Sequence, residues 1–106
     1  MNTTSRILGA QKVRSRPPTD KELTHPYLAL LYAEYVIVGR WPEAEPVIAT
    51  DPMSAYYYSE SVLKDRFPEG ERAIAKDPDY SIMYLNAFPE AKLEWAMNGW
   101  LDWTDL

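Results

Sequence analysis

The sequence contains no cysteine and only one histidine, His25. Without cysteine the chain forms no disulfides and has no thiolate nucleophile, and metal sites that use cysteine are excluded. A catalytic triad needs a histidine or a substitute base, and a typical zinc site needs at least two nitrogen or sulfur ligands. His25 directly precedes Pro26 at a predicted helix start, where a capping-region role explains it better than catalysis. We therefore expect no catalytic residue, no metal and no cofactor.

Glycine and long apolar runs are also scarce. The chain has four glycines, and none of them belongs to a phosphate-binding loop. No apolar run approaches the roughly 20 residues that cross a bilayer, and residues 1–10 lack the apolar core of a signal peptide. We expect a cytoplasmic protein that does not contact membranes.

Carboxylates are plentiful, so a hydrolase with two catalytic carboxylates has to be considered. Helix structure already explains many of these residues. Asp51 and Asp77 precede predicted helices as caps, and Glu43 and Glu69 fall in first turns, where they complement the helix dipole. The serines have no evident base partner. We expect that the protein is not an enzyme.

Charge is distributed unevenly along the chain, whose formal net charge is −5. Residues 1–24 hold five basic and two acidic side chains, a balance of +3, which leaves six basic and fourteen acidic side chains, a balance of −8, in residues 25–106. The acidic body would repel nucleic-acid phosphates, so direct nucleic-acid binding is not expected. It could approach a basic surface of a partner protein, or its acidity could serve only solubility.

An internal repeat of 26 residues is the dominant pattern. Pro26, Pro52 and Pro78 follow this spacing, and so do Tyr32, Tyr58 and Tyr84. More than half of the positions are identical between residues 32–52, YAEYVIVGRWPEAEPVIATDP, and residues 58–78, YSESVLKDRFPEGERAIAKDP. A third copy keeps the tyrosine but lacks five residues before its Phe-Pro-Glu-Ala segment.

Each copy predicts two short helices, the first after an X-Pro cap and the second after an aromatic–Pro pair. Proline at the first helical position removes no needed donor, and Pro46 should shorten or distort the second helix of the first copy. Helices this short need neighbours for stability, which is typical of solenoids. We predict an all-α fold, a short stack of antiparallel helix pairs with an N-terminal arm and a C-terminal helical cap. Residues 1–24 form the basic arm, with a capping box from Thr19 to Glu22, and the copies span 25–51, 52–77 and 78–106.

Recurring apolar positions predict the core of this stack. The expected members are Tyr32, Tyr58, Tyr84, Val36, Val62, Trp41, Phe67, Phe88, Ile48 and Ile74. Arg40 and Arg66 also recur, each followed five residues later by Glu45 or Glu71. An arginine facing this glutamate would fix the turn between the helices, whereas a row of arginines binding an anion is the alternative.

The segments GRWPEAEPVIATDP (39–52) and DRFPEGERAIAKDP (65–78) resemble a short helical repeat of uncharacterised proteins from tailed bacteriophages and their hosts. The resemblance covers residues 25–91. The third copy departs from the pattern, and the residues after Glu94 have no counterpart in it. The resemblance implies a viral origin and no particular activity, and it favours a protein that binds and disables a host protein.

Candidate contact residues come from the segments that the repeat does not explain and from the acidic first turns. Three of the four tryptophans lie within nine residues near the C-terminal end, where they either cover the last repeat or anchor a partner. Of Tyr56 and Tyr57, at least one should be partly exposed, because neighbours on a helix point about 100° apart. The candidates are Trp95, Trp100, Trp103, Tyr56, Tyr57, Glu43, Glu69, Arg14 and Arg16.

These observations favour a non-catalytic protein-binding module, a phage-encoded modulator or inhibitor of a host or anti-phage defence protein, acting in the host cytoplasm. One alternative is an acidic nucleic-acid mimic that blocks a DNA- or RNA-binding enzyme. Another is a small homo-oligomeric structural component. The expected partner is a host protein or a second copy of the chain.

Overall fold

A computed structural model describes residues 16–101, and this part of the chain is all-helical. The predicted fold class is confirmed at this level. Seven α-helices lie within these residues: α1 (Asp20–Thr24), α2 (Pro26–Tyr32), α3 (Glu45–Ile48), α4 (Pro52–Tyr57), α5 (Pro68–Ala75), α6 (Pro78–Ala87) and α7 (Ala91–Met97).

The helix starts follow the predicted caps. Asp51 accepts a hydrogen bond of 2.9 Å from the backbone N–H of Ser54, and Asp77 accepts bonds from the N–H groups of the first turn of α6. The capping box at the start of α1 is present, with the backbone N–H of Thr19 donating to Glu22 at 2.8 Å. Residues 20–24 of the predicted basic arm are therefore helical.

The second helix of the first copy is distorted, as Pro46 predicts. A 3-10 turn, Pro42–Ala44, leads into the four-residue helix α3. The corresponding helix of the second copy, α5, runs unbroken from Pro68 to Ala75 and has Arg72 where α3 has a proline.

Two π-helical segments were not predicted. Helix α2 continues as Ala33–Ile37 and α4 continues as Tyr58–Leu63. Each segment ends at a residue with left-handed backbone, Val38 with φ 57° and Lys64 with φ 54°. Helix α6 has no such continuation, and the third copy is the one that lacks five residues. The shortened third copy thus lacks both the π-helical segment and the left-handed residue that ends it.

The core consists of aromatic and small residues from both helices of each copy. Seven of the ten predicted core residues are buried, and Val36, Val62 and Phe88 are partly buried against them. Complete burial of a side chain such as Phe67 or Ile74 contributes about 1.5–3 kcal/mol. Each recurring tyrosine contacts the aromatic ring that follows it, with centroids 4.7 Å apart for Tyr32–Trp41, 5.1 Å for Tyr58–Phe67 and 4.9 Å for Tyr84–Phe88.

Candidate functional site

A buried carboxylate organises the turn between the two helices of the first copy. Glu45, which is 5% exposed, accepts two hydrogen bonds from Arg40, at 2.7 and 3.1 Å. It also accepts a bond of 2.7 Å from the Tyr58 hydroxyl of the following copy. The same hydroxyl accepts the backbone N–H of Trp41 at 2.8 Å. We call this arrangement of arginine, glutamate and tyrosine a clamp.

A second clamp occupies the next turn. Glu71, 3% exposed, accepts two bonds from Arg66, at 2.7 and 2.8 Å, and one of 2.7 Å from the Tyr84 hydroxyl. That hydroxyl accepts the backbone N–H of Phe67 at 2.8 Å, as in the first clamp. The indole N–H of Trp95 adds a fourth bond to the carboxylate, at 2.9 Å.

The N-terminal segment forms a related but more exposed arrangement. Arg16 pairs with Glu22 at 2.8 Å, and its guanidinium lies 4.8 Å from the ring centroid of Tyr32. The Tyr32 hydroxyl donates to the Arg16 carbonyl oxygen. Arg16 and Glu22 thus precede Tyr32 in the chain, as the Arg–Glu pairs of the two clamps precede Tyr58 and Tyr84.

Electrostatics keep the clamp carboxylates ionised. Burial by itself would raise the pKa of Glu45, but the hydrogen bonds from Arg40 and Tyr58 outweigh burial and lower it. The pKa of Glu71 is lowered in the same way, by Arg66, Tyr84 and Trp95 against burial. Burial is also the main cause of the raised pKa of Tyr58 and of Tyr84, so both hydroxyls stay protonated as donors.

The clamps explain the recurring arginines and glutamates as structural residues. Within residues 16–101 every buried side-chain nitrogen or oxygen has a hydrogen-bond partner. An ionised carboxylate has no proton to give, and three donor bonds already engage Glu45 and four engage Glu71. The structural interpretation of Arg40 and Arg66 is confirmed, and their engagement with glutamates argues against the anion-binding alternative.

An exposed surface lies at the ends of the π-helical segments. Tyr35 is 72% exposed and Val38 is 64% exposed, and both line a groove with the exposed Lys64. The adjacent cleft, of about 530 Å³, is lined by Arg40 and Glu69 among other residues. We call the surface made by Tyr35, Val38, Arg40 and Lys64 the loop edge.

Backbone strain is concentrated at the loop edge. A left-handed conformation costs a residue with a side chain about 1–2 kcal/mol, and a β-branched residue such as Val38 is a clear outlier there. The side chain of Val38 is exposed and is not part of the described core, so core packing does not explain why a valine occupies this strained position. Strained backbone and π-helical segments are both enriched at functional sites.

Two predicted contact residues are corrected by the structure. Trp95 is 0% exposed and stacks on Tyr84 with ring centroids 5.3 Å apart, so of its two expected roles the structure supports packing on the last repeat and not a contact surface for a partner. It occupies the register position of Ile48 and Ile74, which explains its burial. Tyr56 is also buried, at 4% exposure, because its ring packs among neighbouring tyrosines.

The other candidates lie at scattered places. Tyr57 is partly exposed, as predicted for one of the pair, and Trp100 is partly buried against Trp95 with ring centroids 6.1 Å apart. Glu43 and Glu69 are exposed, whereas Arg16 is engaged by Glu22. The structure does not bring these residues together as one site. Arg14 and Trp103 lie outside the described residues.

Sequence reasoning missed Tyr35 and Val38, although a signal was available. The second copy has Ser61 and Lys64 at the corresponding positions. Apolar residues at positions that the repeat otherwise fills with polar ones need an explanation other than stacking. That contrast marks the loop edge of the first copy.

Comparisons with protein-family models, curated proteins and solved structures found no match to this chain. None of the helices described is both long and apolar enough to pass through a bilayer. Between residues 16 and 101, no group of three or more histidine or acidic side chains is arranged to hold a metal ion.

Proposed function

We propose that this protein is a non-catalytic protein-binding module whose partner contacts the loop edge. The observation that carries the proposal is the exposure of Tyr35 and Val38, 72% and 64%, beside a strained left-handed turn. Within residues 16–101 neither side chain belongs to the hydrophobic core or packs against it. Tyrosine and arginine, which this surface presents at Tyr35 and Arg40, are the residue types enriched at protein interfaces.

We propose in addition that the chain is a short solenoid-like stack of helix pairs. Support comes from the clamps, because in each one a tyrosine of one copy reaches the aromatic–Pro turn of the preceding copy. Trp41 and Tyr58 are 17 residues apart, and so are Phe67 and Tyr84. A contact repeated at one spacing is the nearest-neighbour contact on which stability of a solenoid depends.

The charge pattern favours a protein partner over a role as nucleic-acid mimic. A mimic needs a continuous row of exposed carboxylates. Glu43 and Glu69 are exposed, but Arg40 lies beside Glu69, and Lys64 is exposed on the same edge. Charges of both signs beside an aromatic ring suit a protein surface with mixed charges.

The resemblance of residues 25–91 to repeats of phage and bacterial proteins leads us to propose a modulator or inhibitor of a host or anti-phage defence protein. Its place of action would be the cytoplasm, that of the host for a viral protein. A small rigid stack suits this role, because a rigid surface loses little conformational entropy on binding.

Site-specific photo-crosslinking tests the proposed surface. A photoreactive amino acid replaces Tyr35 in the full chain, and the same replacement at Leu93, which is 61% exposed on α7, serves as the matched control. Both proteins are produced in bacteria and irradiated. The proposal predicts one covalent adduct of defined mass from position 35, suppressed by excess untagged protein and absent from position 93. Identical adducts from both positions, or none from position 35, would overturn it.

A further inference from the structure

The arginines of the two clamps differ in how many carboxylates they bind. In the second clamp the Nη2 atom of Arg66 donates to Glu71, at 2.8 Å, and also to Glu94 of α7. In the first clamp the Nη2 atom of Arg40 donates to Glu45 at 3.1 Å, and in the described part of the chain it reaches no second carboxylate. The side chain of Arg40 is accordingly 63% exposed, against 22% for that of Arg66.

The register of the repeat shows where a second carboxylate for Arg40 belongs. Trp95 of α7 and Ile74 of α5 are both completely buried at one register position. The residues that precede them, Glu94 and Ala73, therefore correspond to each other as well. An alanine side chain has no hydrogen-bond acceptor, so α5 cannot give the first clamp what α7 gives the second.

Arg40 faces the side of α5 on which Ala73 lies. Arg40 and Glu69 of α5 line the same cleft, of about 530 Å³. Ala73 follows Glu69 by four residues, and residues at this spacing are neighbours on one helix face. The remaining N–H groups of Arg40 are thus open to a carboxylate that approaches from outside the chain.

Acidic side chains near the first clamp do not exclude a further carboxylate. Asp65 and Glu69 line the cleft, and both are exposed. The second clamp shows that such neighbours are tolerated. Arg66 directly follows Asp65 in the chain, and Glu90, the counterpart of Glu69, lies four residues before Glu94. The Arg66–Glu94 pair forms in spite of both.

We propose that the partner of the loop edge places an aspartate or glutamate side chain on Arg40, as Glu94 is placed on Arg66. The inference rests on the proposed function and names the chemistry of its partner. The contact is a charge-assisted hydrogen bond to one open guanidinium. It differs from a row of arginines around a free anion, because Arg66 is already engaged by two glutamates of its own chain. Lys64, exposed on the same edge, adds a second positive charge.

Ala73→Glu supplies the missing carboxylate from the chain itself and tests the geometry without a partner. Ala73→Gln, of the same size and uncharged, is the matched control. Each is made with Arg40 and with Arg40→Gln, and urea denaturation measures the equilibrium constant between folded and unfolded protein. The ratio of this constant for Ala73→Glu to that for Ala73→Gln should be about two to five times larger with Arg40 than with Arg40→Gln.

Crosslinking from position 35 tests the contact with the partner. The photoreactive full chain is made with Ala73→Glu or with Ala73→Gln, and circular dichroism verifies that each protein is folded. Ala73→Glu should lower the yield of the defined adduct at least about tenfold, because its carboxylate engages Arg40 and repels that of the partner. Ala73→Gln should keep the original yield. Glu69→Gln should not lower the yield, since it removes a negative charge from the cleft.

Two crosslinking results would overturn the inference and leave the loop-edge proposal standing. One is an undiminished adduct with Ala73→Glu. The other is equal loss of the adduct with Ala73→Glu and Ala73→Gln, which indicates a contact with α5 that does not depend on charge. Equal ratios of the equilibrium constants with Arg40 and Arg40→Gln would also overturn it. Absence of any adduct from position 35 without a change at Ala73 would overturn the proposed function, and this inference with it.

Discussion

The Tyr84 hydroxyl donates a hydrogen bond of 2.7 Å to the carboxylate of Glu71, which lies thirteen residues earlier in the chain. Both residues are buried, and the same hydroxyl accepts the backbone N–H of Phe67. One phenol thus donates to a carboxylate that Arg66 and Trp95 also bind, and it supplies the acceptor for a buried main-chain N–H. The stability of the turn therefore depends on groups from two successive copies.

Glu71→Gln should destabilise the protein by about 3 kcal/mol, because it leaves Arg66 beside a neutral amide and disrupts the bonds from Tyr84 and Trp95. Glu45→Gln should cost less, since Arg40 is more exposed than Arg66, with side-chain exposures of 63% and 22%. Urea denaturation followed by circular dichroism measures both. Equal losses of unfolding free energy in the two variants would contradict the expected order.

Stability should fall on acidification. The folded-state pKa values of Glu45 and Glu71 are lowered, so their contribution is complete above the unfolded-state pKa of about 4.3. It is lost as the pH falls through the lowered folded-state values. The thermal midpoint of the wild type should therefore drop more steeply below about pH 4 than that of a Glu45→Gln, Glu71→Gln double variant. If the thermal midpoints of the two proteins fall equally with pH, the clamp glutamates are not the cause of the acid sensitivity.

Gly70→Ala should destabilise the protein although alanine favours helices. A Cβ at this position would lie 2.8 Å from the Cβ of Ala55 and 2.8 Å from the Phe67 ring. The overlap should cost about 1–3 kcal/mol, more than the roughly 1 kcal/mol gained in helix propensity. Gly39→Ala is the matched control, because a Cβ there meets nothing within 4 Å. A Gly70→Ala variant as stable as the control would be inconsistent with this packing.

Val38→Gly should stabilise the fold and weaken partner binding. Glycine adopts the left-handed conformation at φ 57° without strain, so a gain of about 1 kcal/mol is expected. Lys64→Gly relieves the corresponding strain and should give a similar gain. Thermal denaturation measures both variants. A loss of stability in both would mean that the left-handed residues are not strained.

The sequence predicted the all-helical fold and the helix starts because proline caps and apolar spacing are local signals. It also predicted the Arg–Glu contact, since both residues recur at a fixed separation. The π-helical segments were missed, because an i to i+5 hydrogen bond leaves no distinct pattern in a segment of five or six residues.

The candidate contact surface was harder to predict than the fold. For Trp95 the sequence left open whether it covers the last repeat or anchors a partner, whereas alignment of the shortened third copy places it at the core position of Ile74. Exposure of Tyr35 depends on which side of the π-helical segment it occupies. The polar Ser61 at the corresponding position of the second copy indicates this side indirectly, and the folded geometry shows it.

The most direct test of the account separates stability from binding with two tyrosine variants. Tyr35→Ser should keep the free energy of unfolding of the wild type within about 0.5 kcal/mol and lose the partner that crosslinks at position 35. Tyr58→Phe leaves the N–H of Trp41 and the carboxylate of Glu45 without the hydroxyl, so it should cost about 1–3 kcal/mol. When bound partner is measured per folded molecule by affinity capture, Tyr58→Phe should bind as the wild type does. The opposite result, with full binding by Tyr35→Ser, would contradict the assignment of function to the loop edge.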